Sequence, residues 1–184
     1  MTRREELTEA AADHVLEHGL VGLSLRPLAS AVGTSDRMLL YHFADKDDLV
    51  ATVLRTAVDR GVAELRTMPP AAGVRRCVLD LWQASQRGRL AQCHRLYVEA
   101  AALGLLGRQP YADVVRDANE RWVEAVAANL HAAGCPDRRV RRATYLLDAA
   151  LMGFQLDLPL DGGSTDLRHG VEDLADAVAA IAGA

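Results

Sequence analysis

The sequence holds a single lysine, three cysteines, only 4% aromatic residues and no long apolar run. Each scarcity excludes something. A membrane helix needs ~18 or more consecutive apolar residues, and no stretch of this chain approaches that length, so no membrane span is expected. The first residues are polar and lack the apolar segment of a secretory signal. Cys77, Cys93 and Cys135 are odd in number and far apart, which supports neither a disulfide framework nor metal-ligand spacing. A reducing cytoplasm is the expected compartment. Strand-forming aromatic runs are missing, and the 50% hydrophobic content is largely Ala, Leu and Val. An all-α chain follows from that composition. There is no H-E-x-x-H, no Gly-rich phosphate loop after a strand and no plausible catalytic triad. His94 and Glu99 are five residues apart, off register for joint ligation on one helix face. The chain is therefore read as a non-enzyme, with no catalytic residues, no metal and no cofactor.

Positive charge is scarce too. The formal net charge of −4 argues against a protein that coats nucleic acid indiscriminately, because counterion release is the usual source of such affinity. Residues 1–46 alone carry five cationic side chains against seven acidic ones. Any binding of DNA at this end is expected to be modest, with a shallow salt dependence, and to require the acids to lie away from the contact face.

Against these absences stands one dense segment, from Leu25 to Lys46. Ser24 is placed to cap a short helix in which Pro27 falls within the first turn, where its missing N–H costs little. Leu28, Ala29 and Val32 form a narrow apolar face. Gly33 supplies the permissive backbone that ends this helix and reverses the chain. Ser35 can cap the next helix, whose first turn is Asp36, Arg37 and Met38, while Leu39, Leu40 and Phe43 are available for burial. Two short helices hinged at a glycine, the second carrying polar, basic and aromatic residues in a turn and a half, describe a helix-turn-helix built to enter a major groove.

This segment resembles the N-terminal DNA-binding domain of the TetR family of transcriptional regulators. Leu28-Ala29, Gly33, Ser35, Leu39, His42-Phe43, Lys46 and Leu49 fall on the family pattern without a gap, over roughly residues 5–50. Val32, Thr34, Met38 and Leu40 depart from it, and Leu40 stands where the family often has a phosphate-contacting Tyr. The resemblance implies a three-helix DNA-binding domain over residues 1–47 and a helical effector-binding and dimerisation domain over residues 48–184. It also implies a ligand-responsive regulator, most simply a repressor, that binds a near-palindromic operator in double-stranded DNA as a homodimer. Its partner in the body would be an unidentified small-molecule effector. The alternative is a helical protein–protein adaptor whose helix-turn-helix has drifted away from DNA.

Candidate DNA contacts divide by chemistry. Arg37 can take O6 and N7 of one guanine with its fork, and Met38 can lie against a thymine methyl. Arg26, Thr34, Ser35, Asp36, Tyr41, His42 and Lys46 complete the set, mostly as backbone contacts. In the body, Trp82, Cys93, Tyr97, Trp122, Tyr145 and Met152 are candidate effector contacts, being large or polar-tipped side chains on apolar helices. Glu99 lies on the apolar stretch Tyr97–Ala102 and needs a partner, a cationic ligand or a solvated edge.

Periodicity and breakers place the helices. The first is expected over about Arg4 to His18, and a connecting helix from about Lys46 to the Pro69-Pro70 break. Body helices follow over about Ala72 to Gln86, Leu90 to Leu106, Pro110 to Ala133, Asp137 to Asp157 and Asp166 to Ala182. Leu167, Val171, Leu174, Val178 and Ile181 form one seam; Val140, Thr144, Leu147, Leu151 and Phe154 form another. The two seams are expected either to meet a second copy in a four-helix interface or to face the subunit's own core.

Overall fold

The computed structural model describes residues 1–183, in which nine helices and no strand are found. They are α1 (Arg3–His18), α2 (Leu25–Ala31), α3 (Asp36–His42), α4 (Lys46–Arg66), α5 (Val74–Ser85), α6 (Gly88–Leu105), α7 (Tyr111–Ala132), α8 (Asp137–Asp161) and α9 (Thr165–Ala182). The all-α expectation holds, and helix ends fall within a few residues of their sequence signals. α1 opens on a full capping box: the Thr2 hydroxyl accepts from the Glu5 amide while the Glu5 carboxylate accepts from the Thr2 amide at 2.7 Å.

The chain packs as two compact units. One comprises residues 1–63 and 89–120, the other residues 64–88 and 121–184. In the first, a single apolar cluster runs from Leu7, Ala11 and Val15 of α1 through Leu28, Leu39, Phe43, Leu49 and Val53 to Leu96 and Ala100 of α6 and Val114 of α7. The short α2 and α3 bury only Leu28, Ala29 and Leu39 between them. Such brief helices are not stable alone, and their order comes from this shared core. The cluster extends past residue 47 and takes in α6, so packing alone draws no line between residues 1–47 and the rest.

In the second unit, α9 packs against α5 and α8. Leu167, Val171, Leu174 and Val178 of α9 are buried, as are Thr144 and Leu147 of α8. These members of the two seams face the unit's own core, while Val140, Leu151, Phe154 and Ile181 are half-buried. The α8 residues left exposed form a different stripe. Leu146, Ala149, Gly153, Leu156 and Leu160 are all exposed and recur at alternating steps of three and four along one helix face.

Two local expectations are corrected. α8 does not end near Asp157; it continues through Pro159 to Asp161 and stops at Gly162, whose φ is 66°. Proline at that place removes one hydrogen-bond donor and no more than the last turn depends on it, while the left-handed glycine supplies the terminus. Ser24 makes no side-chain cap on α2. Its hydroxyl would ordinarily take the amide of the third helical residue, and here that residue is Pro27, which has none.

Candidate nucleic-acid interface

α3 is presented by its neighbours with one face buried and the other clear. Gly33 holds φ 69° at the turn, a left-handed conformation that a side chain would strain. The Thr34 amide closes the turn by donating to the Ala29 carbonyl at 2.8 Å. Ser35 then caps α3 as expected, its hydroxyl accepting from the Met38 amide at 3.2 Å. Leu39 and the following Phe43 are wholly buried and anchor the helix. Arg4 lies over the Phe43 ring at 5.0 Å and pairs with Asp48 at 3.2 Å, which ties α1 to the start of α4.

The outward edge of α3 is Asp36, Arg37, Met38, Leu40 and Tyr41. Met38 is 43% exposed and Tyr41 78% exposed, so neither belongs to the core. Leu40 is 45% exposed, contrary to the expectation that it packs beside Leu39. One residue along a helix is a rotation of about 100°, and of the two only Leu39 turns into the core. Asp36, Arg37, Leu40 and Tyr41 line one open concavity. The Asp36 carboxylate accepts from the Arg37 amide at 3.0 Å, and no ion pair joins it to the Arg37 guanidinium among the described residues. The Tyr41 and His42 rings meet edge to face at 5.1 Å.

Arg26 and Ser35 are exposed, and Thr34 and His42 half-buried, around the same helix pair. Lys46, expected at a phosphate, donates from Nζ to the Leu23 carbonyl at 3.0 Å. It thus fastens the loop before α2, with two ammonium hydrogens left over. The acidic excess of this end is partly neutralised within the fold. Arg60 of α4 pairs with both Glu9 and Asp13 of α1, the latter at 2.6 Å. That places two of the seven acids in internal ion pairs rather than against a polyanion.

Of the body candidates, Cys93 and Tyr97 belong to the first unit. The Cys93 thiol donates to the Ala57 carbonyl at 3.3 Å, and the Tyr97 hydroxyl donates to Asn119 at 3.3 Å. Both line an apolar void of about 10 Å³, room for about one water molecule at most. Trp82, Trp122, Tyr145 and Met152 belong to the second unit. Trp82 meets Phe154 edge to face at 6.2 Å, Tyr145 is exposed, and Met152 is half-buried. Trp122 hydrogen-bonds Asp148, a residue the sequence reading passed over. Burial raises the Asp148 pKa, and the Trp122 bond partly opposes that shift. Gln155, two turns along α8 from Asp148, has a buried side-chain oxygen without a partner. Glu99 has found its partners: its carboxylate accepts from the Leu20 and Val21 amides at 2.5 and 3.2 Å. No sequence signal pointed to that pairing, because Leu20 and Glu99 are 79 residues apart.

Among the described residues, no helix is long and apolar enough to cross a membrane, and no group of His, Cys, Asp or Glu is arranged to hold a metal ion. Residues 7–53 match the family model described as bacterial regulatory proteins, tetR family. Over 179 residues the chain is 29% identical to the HTH-type transcriptional regulatory protein RaaS of Mycobacterium tuberculosis, covering 95% of this chain and 80% of that protein. A transcriptional regulator from Rhodococcus sp. RHA1 shares the fold at a TM-score of 0.75 and 23% identity, with 96% of each chain covered. The multidrug binding protein EbrR in its ethidium complex aligns at a TM-score of 0.69 and 26% identity, over 95% of this chain and 98% of that one. The matched segment is the same α1–α4 region whose capped, outward-facing α3 has just been described, and over that segment the chain carries the helix-turn-helix of the tetR family of bacterial regulatory proteins.

Proposed function

We propose that this regulator is a ligand-responsive repressor that binds a near-palindromic operator as a homodimer and releases it when a small molecule occupies the body. The observation that carries the reading is α3 itself: a helix capped by Ser35, anchored by Leu39 and Phe43, with Arg37, Met38, Leu40 and Tyr41 directed outward. Arg37 is assigned to a guanine edge, and Met38 to a thymine methyl. Arg26, Thr34, Ser35, Asp36, Tyr41, His42 and Lys46 surround them as positioning contacts, chiefly to phosphates. Leu40 joins the set as a second apolar contact. The working division of labour is DNA recognition by residues 1–47 and effector binding and dimerisation by residues 48–184.

A single short recognition helix reads few base pairs, so specificity calls for two of them about 34 Å apart on one face of the duplex. The exposed α8 stripe of Leu146, Ala149, Gly153, Leu156 and Leu160 supports the dimer: its spacing is that of a helix seam, and small residues at its middle permit close approach. For the effector, support comes from the half-buried Trp122–Asp148 pair and from EbrR, a fold relative complexed with ethidium. Cytoplasmic residence fits such a role.

Anisotropy titration of labelled duplexes, chosen by selection from random sequence, tests the reading. A preferred near-palindromic site, occupied by two protomers and abandoned on addition of an effector, is the expected result. Binding to no sequence above bulk competitor would favour the adaptor alternative.

A further inference from the structure

The loop from Gly19 to Ser24 connects α1 to the helix-turn-helix, and α6 grips it with two side chains one turn apart. Arg95 donates from Nη2 to the carbonyls of Leu16 and Glu17, at 2.7 and 2.9 Å. These belong to the last turn of α1, where carbonyls lack intrahelical partners and the helix dipole favours a cation. Glu99 accepts the amides of Leu20 and Val21 just beyond. Gly19, between the two grips, has φ 85°, and a Cβ there would stand 2.7 Å from Oε1 of Glu99. The carboxylate therefore lies directly against the backbone. Only 20% of the Glu99 side chain is exposed, and its Oε1 is 3.9 Å from Nε of Arg95. At the far end of the loop, Leu23 is held by Lys46, and α2 begins two residues later.

The loop is thus held by α6 at one end and by α4 at the other, and it leads directly into α2. We propose that Arg95 and Glu99 are positioning residues for operator binding: by fixing the α1–α2 turn they set the angle at which α3 is presented. The inference rests on the reading that α3 binds an operator. A loosened turn lets the helix pair pivot, and that freedom must be lost again on binding. Site-specific contacts need the correct angle in both protomers at once, whereas phosphate contacts on random sequence do not. Specific affinity falls and non-specific affinity stays.

The sign of the effect separates this from simple electrostatics. Removing an acid from a net-negative protein strengthens DNA binding through charge alone. Positioning requires the opposite. The test uses the full-length protein with Glu99→Ala, the isosteric Glu99→Gln, Arg95→Gln, and Gln92→Ala as an exposed control on α6. Helicity is checked by circular dichroism, operator and random-duplex affinities by anisotropy, and exchange at the Leu20 and Val21 amides by NMR. In Glu99→Ala the operator Kd is expected to rise about tenfold, within the usual range of coupling between sites. Glu99→Gln and Arg95→Gln give smaller rises. In all three the random-duplex Kd stays within about twofold, a change too small to reflect a lost contact. The two amides exchange faster, and Gln92→Ala matches the wild type throughout. Helical Glu99→Ala and Glu99→Gln proteins that bind the operator as tightly as wild type, or more tightly, would overturn the proposal. So would unchanged exchange at both amides. If Glu99→Ala does not fold, Glu99→Gln decides by the same criteria. A wild-type protein that prefers no sequence would overturn the operator reading and this inference with it, and is told apart because it fails before any substitution is made.

Discussion

Single residues in this molecule divide between those that build α3 and those that project from it. Ser35 builds: replacing it by Ala leaves a first-turn amide without its acceptor and is expected to cost about 1 kcal/mol in urea denaturation. Ser24→Ala is expected to stay within about 0.5 kcal/mol of wild type, because that hydroxyl makes no cap. Equal losses from the two would contradict the structural distinction. Arg37 projects, and Arg37→Ala should relax discrimination at one operator base pair by about 1–3 kcal/mol while other positions keep their ranking. Lys46→Ala should instead weaken all sequences alike, both through loss of the proposed phosphate contact and through release of the Leu23 carbonyl. His94 gives a residue-scale pH signature. Burial lowers its pKa to about 4, and its Nε2 is buried with no partner. The unfolded chain takes up this proton near pH 6.5, before the folded protein does, so stability falls as pH drops from about 6.5 to about 4 and then levels off. Thermal melts across that range should show a smaller loss of stability with falling pH in His94→Leu than in wild type; identical slopes would show that other groups cause it.

Secondary-structure elements were largely readable from the sequence, and the reason is local chemistry. Gly33, Ser35 and Met68-Pro69-Pro70 mark boundaries by backbone effects that act over a few residues. The same reasoning fails where two local rules meet, as at Ser24 with Pro27, or where one rule is weaker than supposed, as at Pro159 near a helix end. It fails more broadly for the choice of face. The buried members of the α8 and α9 seams pack within one unit, and periodicity alone could not say so, because it shows that a stripe is apolar and not what covers it. Leu40 shows the same limit in one residue, being apolar and one position from a buried leucine, yet exposed. The stripe proposed for assembly mixes Leu with Ala and Gly and so has weak contrast in the sequence. Leu156→Glu puts a charge in the middle of it. The expected result by light scattering is a monomer that keeps its helicity and loses operator binding at concentrations where wild type is saturated. A dimeric Leu156→Glu protein would place the interface elsewhere.

Across the whole molecule, the acidic balance that argued against DNA binding is reconciled in part by where the acids lie. Glu9 and Asp13 are engaged by Arg60, and the exposed edge of α3 carries Arg37 with Arg26 nearby. Affinity then depends on geometry and base contacts more than on bulk charge, so the slope of log Kd against log salt should correspond to few phosphates neutralised per protomer. The contacts that join α6 to α1 and α4 lie far apart in sequence, notably Glu99 with Leu20 and Cys93 with Ala57. No pattern within a window of the chain could have revealed them. The proposed effector site is legible least of all, since Trp122 and Asp148 come together only through tertiary packing.

The measurement that bears most directly on the central claim is a footprint and stoichiometry determination on the best duplex recovered by selection from random sequence. The account predicts two protected half-sites related by a two-fold axis, centred about 34 Å apart, with two protomers bound per duplex and one base pair per half-site whose preference disappears in Arg37→Ala. A single asymmetric footprint, or selection that converges on no sequence, would contradict it.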